Sequence, residues 1–249
     1  MSRRPRATTK PDLADAAYTR LAHAIATGEI AAGAPLNERE VSLRLGMSRT
    51  PLRAALHRLA LEGLVVAVPK KGTYAAPLDA RDIEENMAVR EALEIEMAQQ
   101  VIDAGAELDA ARLHELLDAQ QHDIDHLDSP AFIRADEQFH LHILAASGNR
   151  RALEVAQRAW LHINRARYVV PMTVATMRKA LQSHRAIAAA LLDRDAARLQ
   201  RAIRDHTDAP LIRQLRADQT PPDAGDAQRR AAQLQSALRQ EPLTRTPTQ

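Results

Sequence analysis

The 249-residue chain carries 34 Lys and Arg against 32 Asp and Glu, has no cysteine, and is only 2% aromatic. Without cysteine there is no disulfide frame, and any metal site must use nitrogen and oxygen ligands. No run of about 18 apolar residues suggests a membrane span, and the basic start Met1-Ser2-Arg3-Arg4-Pro5 is followed by no apolar signal core, so a soluble, cytoplasmic protein is expected.

Cores with so few aromatics must be built from Leu, Ile, Val and Ala, a composition that favours packed helices. The charge is unevenly divided. Residues 1–77 hold 12 Lys and Arg against 6 Asp and Glu, and the remainder holds 22 against 26. A basic head on a mildly acidic body fits a nucleic-acid-binding module joined to a non-binding one. A chance excess fits equally well, so the motifs must decide.

Residues 1–11 read as a short, flexible basic arm. A helix is expected over 12–27, with Leu13, Ala17, Leu21, Ala24 and Ile25 on one face and Gly28 as its stop. After the turn Gly33-Ala34-Pro35, Asn37 is placed to cap a second helix, with Glu40 three residues on and Leu36 and Val41 as a staple. Gly46-Met47 then turns, and Ser48 starts a third helix that runs to about Gly63. Pro51 is tolerated in its first turn. Leu52, Ala55, Leu56 and Leu59 form the buried stripe, and Arg49, Thr50, Arg53 and His57 face outward. Arginines at the outward N-terminal end of such a helix suit base edges in the major groove, and the helix terminus favours a phosphate. Leu64–Val68 and Thr73–Ala76 read as two strands joined at Pro69-Lys70-Lys71-Gly72, a wing whose lysines would reach the DNA backbone or minor groove. Residues 12–77 therefore read as a winged helix-turn-helix.

The run LNEREVSLRLGMSRTPLRAALHRLALEGLV, followed by KKGTY, resembles the DNA-binding domain of the GntR family of bacterial regulators. The segment from Ser48 to Arg53 is its most specific part. The resemblance implies DNA contacts by Arg39, Arg49 and Arg53, phosphate binding at Ser48 and Thr50, and a wing tip at Lys71 and Gly72. Ala54 departs from the glutamate usual there, which should alter local ion pairing or operator preference and leave the fold intact.

From residue 79 helical periodicity dominates, and six helices are expected over 79–103, 107–127, 130–147, 150–169, 173–193 and 195–215. The mainly α fold is thus a winged helix-turn-helix followed by an antiparallel bundle of about six helices, whose interior can host a ligand or metal. Residues 216–249 read as a largely disordered tail. Within the bundle, Asp136 and His140 are spaced i,i+4 and share a helix face. His184 and His206 fall 10 residues before and 12 after a turn near residue 194, nearly level across a hairpin. One carboxylate and three imidazoles suit Zn, Ni or Mn. Eight of the ten histidines lie in the body, so spacing alone is a weak guide. His114, His122 and His126 read as surface residues, and His142 and His162 as core or rim.

Residues 83–215 resemble the FCD effector-binding domain of the FadR-type branch of the same family. The resemblance implies a divalent metal on Asp136, His140, His184 and His206. It also implies an effector-binding arginine at Arg90 within VREALEIEMA, with Asn164 and Arg165 of HINRAR as further pocket residues. Arg90 has an alternative, an intrahelical salt bridge with Glu94. The function implied is a homodimeric, non-enzymatic regulator, more readily a repressor than an activator. It would bind a palindromic operator in double-stranded DNA and respond to a small carboxylate. Two rivals use the same four ligands: a metal-sensing regulator and a metal-dependent hydrolase. The second lacks an evident base or nucleophile, since Glu137 points about 100° away from Asp136 on the helix.

Overall fold

The computed structural model describes residues 13–106, 108–206 and 209–218. The basic arm, and the tail beyond residue 218, lie outside the described residues. The chain divides into two compact units between Pro77 and Leu78.

In the first unit, α1 (Leu13–Ala26), α2 (Glu38–Arg44) and α3 (Arg49–Leu61) precede β1 (Val65–Val68) and β2 (Gly72–Ala75). The strands pair antiparallel from Val65 opposite Ala75 to Val68 opposite Gly72. The stretch before α2 extends this small sheet, with Leu36 N donating to Thr73 O at 2.7 Å and Ala75 N to Ala34 O at 2.9 Å. Ala17, Leu21, Ala24 and Ile25 of α1 are buried with Leu52, Ala55, Leu56 and Leu59 of α3. Leu13, expected on the α1 stripe, is instead 57% exposed, because the buried face of the helix begins one turn later, at Ala17. Asn37 caps α2 through its side-chain oxygen, which accepts from Arg39 N at 3.0 Å and Glu40 N at 3.4 Å. Gly46, at φ +62°, carries the turn into α3, a conformation strained for residues with a Cβ. Ser48 holds the N-cap position of α3 in an extended conformation, but its hydroxyl makes no capping bond.

The second unit consists of α4 (Ala80–Asp103), α5 (Ala110–Asp125), α6 (Ser129–Ala146), α7 (Arg150–Val169), α8 (Val174–Leu192), α9 (Ala196–Asp205) and α10 (Ala209–Asp218). Six of these begin at a side-chain cap: Asp79, Asp109, Asp128, Asn149, Thr173 and Asp195 each accept a backbone N–H in the first turn. Each such cap contributes about 1 kcal/mol. The sixth expected helix is two helices. α9 ends at His206, which caps it with ψ 83°, and α10 follows. Pro210 explains the break, because a proline in a continuous helix would clash with the carbonyl four residues back, here that of His206. The helix expected to stop at 215 also runs on to Asp218. A core of Leu113, Leu116, Phe132, Phe139, Ile143, Leu181, Ile187 and Leu191 joins α5, α6 and α8. A second cluster joins the start of α4 to α7 and α10.

Candidate metal centre and nucleic-acid interface

On the head, the residues expected to meet DNA are all exposed: Arg39, Ser48, Arg49, Thr50, Arg53, Lys71 and Gly72. Leu52, Ala55, Leu56 and Leu59 anchor α3 from behind, so its first turn projects Arg49, Thr50 and Arg53 outward. Arg53 rests on the carboxylate of Glu38, with Nε 2.9 Å from Oε2. Arg58, a turn further on, has a structural task. It lies 3.6 Å from the Tyr18 ring centroid and pairs with Asp15 and Glu62, both at 3.3 Å. The wing turns through Lys70 at φ 63° and Gly72 at φ +121°, closed by Lys71 N donating to Val68 O at 3.0 Å.

In the bundle, α6 supplies Asp136 and His140 one turn apart, α8 supplies His184 from its middle, and the end of α9 supplies His206. Their exposures are 0, 1, 0 and 7%, and one donor atom from each lies within 4.8 Å of all the others. His184 Nε2 is 3.2 Å from His140 Nε2, 3.3 Å from His206 Nε2 and 3.3 Å from Asp136 Oδ1. His140 Nε2 is also 3.3 Å from Asp136 Oδ1. An imidazole nitrogen carries at most one proton, so these contacts cannot all be hydrogen bonds. Asp136 Oδ1 is in fact buried without a hydrogen-bond partner. Donors bound about 2.0–2.1 Å from one cation stand roughly 3.3 Å apart in a tetrahedral shell. The donor set and the spacing therefore fit a divalent metal, and the pairs reaching 4.8 Å are wider than a closed tetrahedron.

The surrounding groups orient these side chains. Glu94 Oε1 lies 3.1 Å from His140 Nδ1, and Gln120 Oε1 lies 2.6 Å from His184 Nδ1. With a proton on His184 Nδ1, Gln120 Oε1 accepts it and Nε2 is left as the lone-pair atom facing the cluster; Glu94 faces His140 as an ion-pair partner. The Arg167 guanidinium bonds the other oxygen of Asp136. Burial opposes the charge on Asp136, but Arg167 and His184 outweigh it and hold the carboxyl well below the usual range. Burial also lowers His184 and lowers His206 further, because the neighbouring His184 and His140 add to it. His140 moves up: burial opposes its charge, and the Glu94 carboxylate prevails. Metal binding requires an ionised carboxylate and neutral imidazoles: the shifts at Asp136, His184 and His206 favour that state, and the one at His140 opposes it.

Glu94, Gln120 and Arg167 were not among the residues that the sequence singled out for the site. Trp160, fully buried, lies behind it with its ring centroid 5.3 Å from that of His140. The guanidiniums of Arg90 and Arg167 each lie 5.0 Å from the Trp160 ring. Helical spacing offers one signal for Arg167: Trp160 and Arg167 are seven residues apart, two turns along one face. Gln120 carries no such signal.

Arg90, Asn164 and Arg165, expected to meet an effector, are all buried. Arg90 is buried against Glu94, Nε to Oε1 3.5 Å, behind His140. Asn164 donates to Glu137 Oε2 at 2.7 Å, and Arg165 is 3% exposed. A pocket of about 80 Å³ opens onto Asp136, Arg167 and His206, and Arg90, Asn164 and Arg165 are not among its lining residues. Its outer wall mixes apolar Val170, Met172 and Leu211 with polar Thr176, Lys179 and Ser183. His114, His122 and His126 are exposed. His162 is satisfied by Asp82 at 2.9 Å, and His142 faces the Asp109 carbonyl at 3.3 Å.

A winged helix-turn-helix followed by a helical domain with a buried Asp-His cluster defines a class: transcription regulators that pair a DNA-binding head with a separate regulatory body. The chain belongs to the gntR family of bacterial regulatory proteins, whose description matches residues 13–75, with an FCD domain at residues 85–209. It is similar to an HTH-type transcriptional regulator in an unstable DNA locus of Streptomyces ambofaciens, 33% identical over 84% of this chain and 89% of that protein. It is also similar to the HTH-type transcriptional repressor RspR of Escherichia coli K12, 28% identical over 76% and 84%. Among solved structures, E. coli McbR/YncC has the same fold, with TM-score 0.69 and 23% identity over 84% of this chain and 97% of that one. GntR helix-turn-helix regulators bind DNA, and none of the described helices is long and apolar enough to cross a membrane.

Proposed function

We propose that the protein is a homodimeric repressor that releases its operator when a small carboxylate binds beside a metal ion in the bundle. On the head, Arg39, Arg49 and Arg53 read base edges, while Ser48, Thr50, Lys71 and the backbone at Gly72 hold phosphates. The uncapped start of α3 supports the phosphate role, because its backbone N–H groups keep a free face. Two heads on a two-fold axis would read palindromic half-sites. The similarity to a repressor favours repression over activation.

In the bundle, Asp136, His140, His184 and His206 would hold Zn²⁺, Ni²⁺ or Mn²⁺, which would supply a Lewis-acidic point for a carboxylate oxygen. Arg167 at the pocket floor and Lys179 at its rim offer that anion further cationic partners. Arg90 acts from behind, holding Glu94 against His140. Convergence of three imidazole Nε2 atoms and one carboxylate oxygen at the end of a pocket carries this reading.

The chain has one tryptophan, and Trp160 is a built-in reporter for the test. Metal-stripped protein titrated separately with Zn²⁺, Ni²⁺ and Mn²⁺ should change Trp160 emission with one-to-one saturation. The change should vanish in His184→Ala. A panel of small carboxylates should then weaken binding to a duplex selected from random sequence by about 5–150-fold, the usual range of such coupling. A metal that alone alters duplex affinity, with every carboxylate silent, would turn the reading into metal sensing. No saturable response to any of the three ions removes the metal from it.

A further inference from the structure

α10 belongs to two neighbourhoods at once. Its Leu211 and Gln214 line the pocket beside His206. Its Ile212 and Leu215, 7% and 5% exposed, pack with Ala80 and Ile83 at the start of α4 and with Ala166 and Val170 of α7. Leu211 and Val170 take part in both the pocket and this seam. At the outer end of the seam, Arg216 Nη2 reaches both oxygens of Glu84, at 2.7 and 2.8 Å. One face of α10 is therefore a wall of the pocket, and another covers the first turns of α4. The helix also starts three residues after a candidate ligand: His206 is the C-cap of α9, and α10 begins at Ala209 with Pro210 next. The first turn of α4 is where the chain arrives from the helix-turn-helix unit, whose last residue is Pro77.

From this we infer that α10 couples the pocket to the start of α4: occupation of the site at His206 seats α10 more firmly on residues 78–87, the segment that leads back to the head. The inference rests on the metal reading of the Asp-His cluster. Its physical basis is close packing, since a shift of Leu211 or Val170 cannot be absorbed in a filled seam and must move what lies on the other side. Coupling is reciprocal: whatever factor metal adds to the α10–α4 contact, that contact adds to metal affinity. Glu84 and Arg216 must then influence the metal although neither is a ligand.

The sign of that influence is the test. Zn²⁺ affinity is measured against a competing chelator for the metal-stripped full chain and for Glu84→Gln, Arg216→Gln and the double variant. The pair is 38% and 60% exposed, so these changes leave the fold intact. A bare long-range charge effect would weaken Zn²⁺ when Glu84 is neutralised and tighten it when Arg216 is. Coupling through α10 weakens it in both, by about two- to fivefold, the scale of a surface ion pair, and the double variant is no worse than either single one. Hydrogen exchange on the same samples should show Zn²⁺ slowing residues 78–87 together with 209–218 in the parent protein, and slowing 78–87 less in Arg216→Gln. Equal affinities in all four proteins, opposite signs for the two single variants, or exchange at 78–87 indifferent to Zn²⁺ each overturns the coupling. A parent protein that binds no Zn²⁺ overturns the metal reading and the coupling with it, a different result from four equal affinities.

Discussion

The head and the bundle each set an arginine against a carboxylate, with opposite consequences. Arg53 and Glu38 meet at 2.9 Å with side chains 65% and 32% exposed. Arg167 and Asp136 are 3% and 0% exposed. Water and salt screen the first pair, so it contributes about 0–1 kcal/mol and Arg53 can exchange its partner for a phosphate or a guanine at little loss. The second pair has given up its hydration, and each member depends on the other. The difference teaches that the head keeps its charges exchangeable for a partner, whereas the bundle fixes its charges to hold donor atoms in place.

Breaking the buried pair should have the largest effect. Asp136→Ala leaves Arg167 buried beside Trp160 without its carboxylate and should lower stability by about 3–5 kcal/mol. Chemical denaturation checks this, and an unchanged midpoint would erase the contrast between the two regions. Adding Arg167→Met should recover part of the loss.

The next effect concerns the groups behind the ligands. Glu94→Leu and Gln120→Leu each remove an oxygen that orients an imidazole, and each should weaken metal binding by about 10–100-fold. Competition with a coloured chelator measures it. Metal affinity equal to that of the parent would show that packing alone, without these acceptors, orients His140 and His184.

The head should respond least in stability and selectively in binding. Arg49→Ala should shift unfolding by no more than about 0.5 kcal/mol, yet cost about 1–3 kcal/mol of discrimination at a selected duplex if it contacts a guanine. Lys71→Ala should weaken all duplexes alike and lower the slope of log affinity against log salt by about 0.9, one phosphate contact. A loss of folding in either variant would mean that the exposed face is structural after all.

Much of this molecule could be read along the chain. The Asn37 cap, the α3 stripe of Leu52, Leu56 and Leu59, and the two-stranded wing are local patterns fixed within a turn or a hairpin. The i,i+4 pair Asp136 and His140 is local as well. What was not legible depends on which helix faces meet. Gln120 reaches His184 from 64 residues away, and Glu94 reaches His140 across α4 and α6. The helix expected over 195–215 is split in two for a local reason, the proline at 210.

By itself the sequence determined the order of the elements, because periodicity, capping and motif spacing act between residues a few positions apart, and its resemblance to a known family pointed to the four candidate ligands. Only the tertiary structure decided that Arg167 lines the pocket beside Asp136, that Glu94 and Gln120 lie against the imidazoles, and that α10 joins the pocket to the start of α4. The physical reason is that side chains distant in sequence become neighbours only when packed helices exclude water between them, and no spacing along the chain records which faces those are.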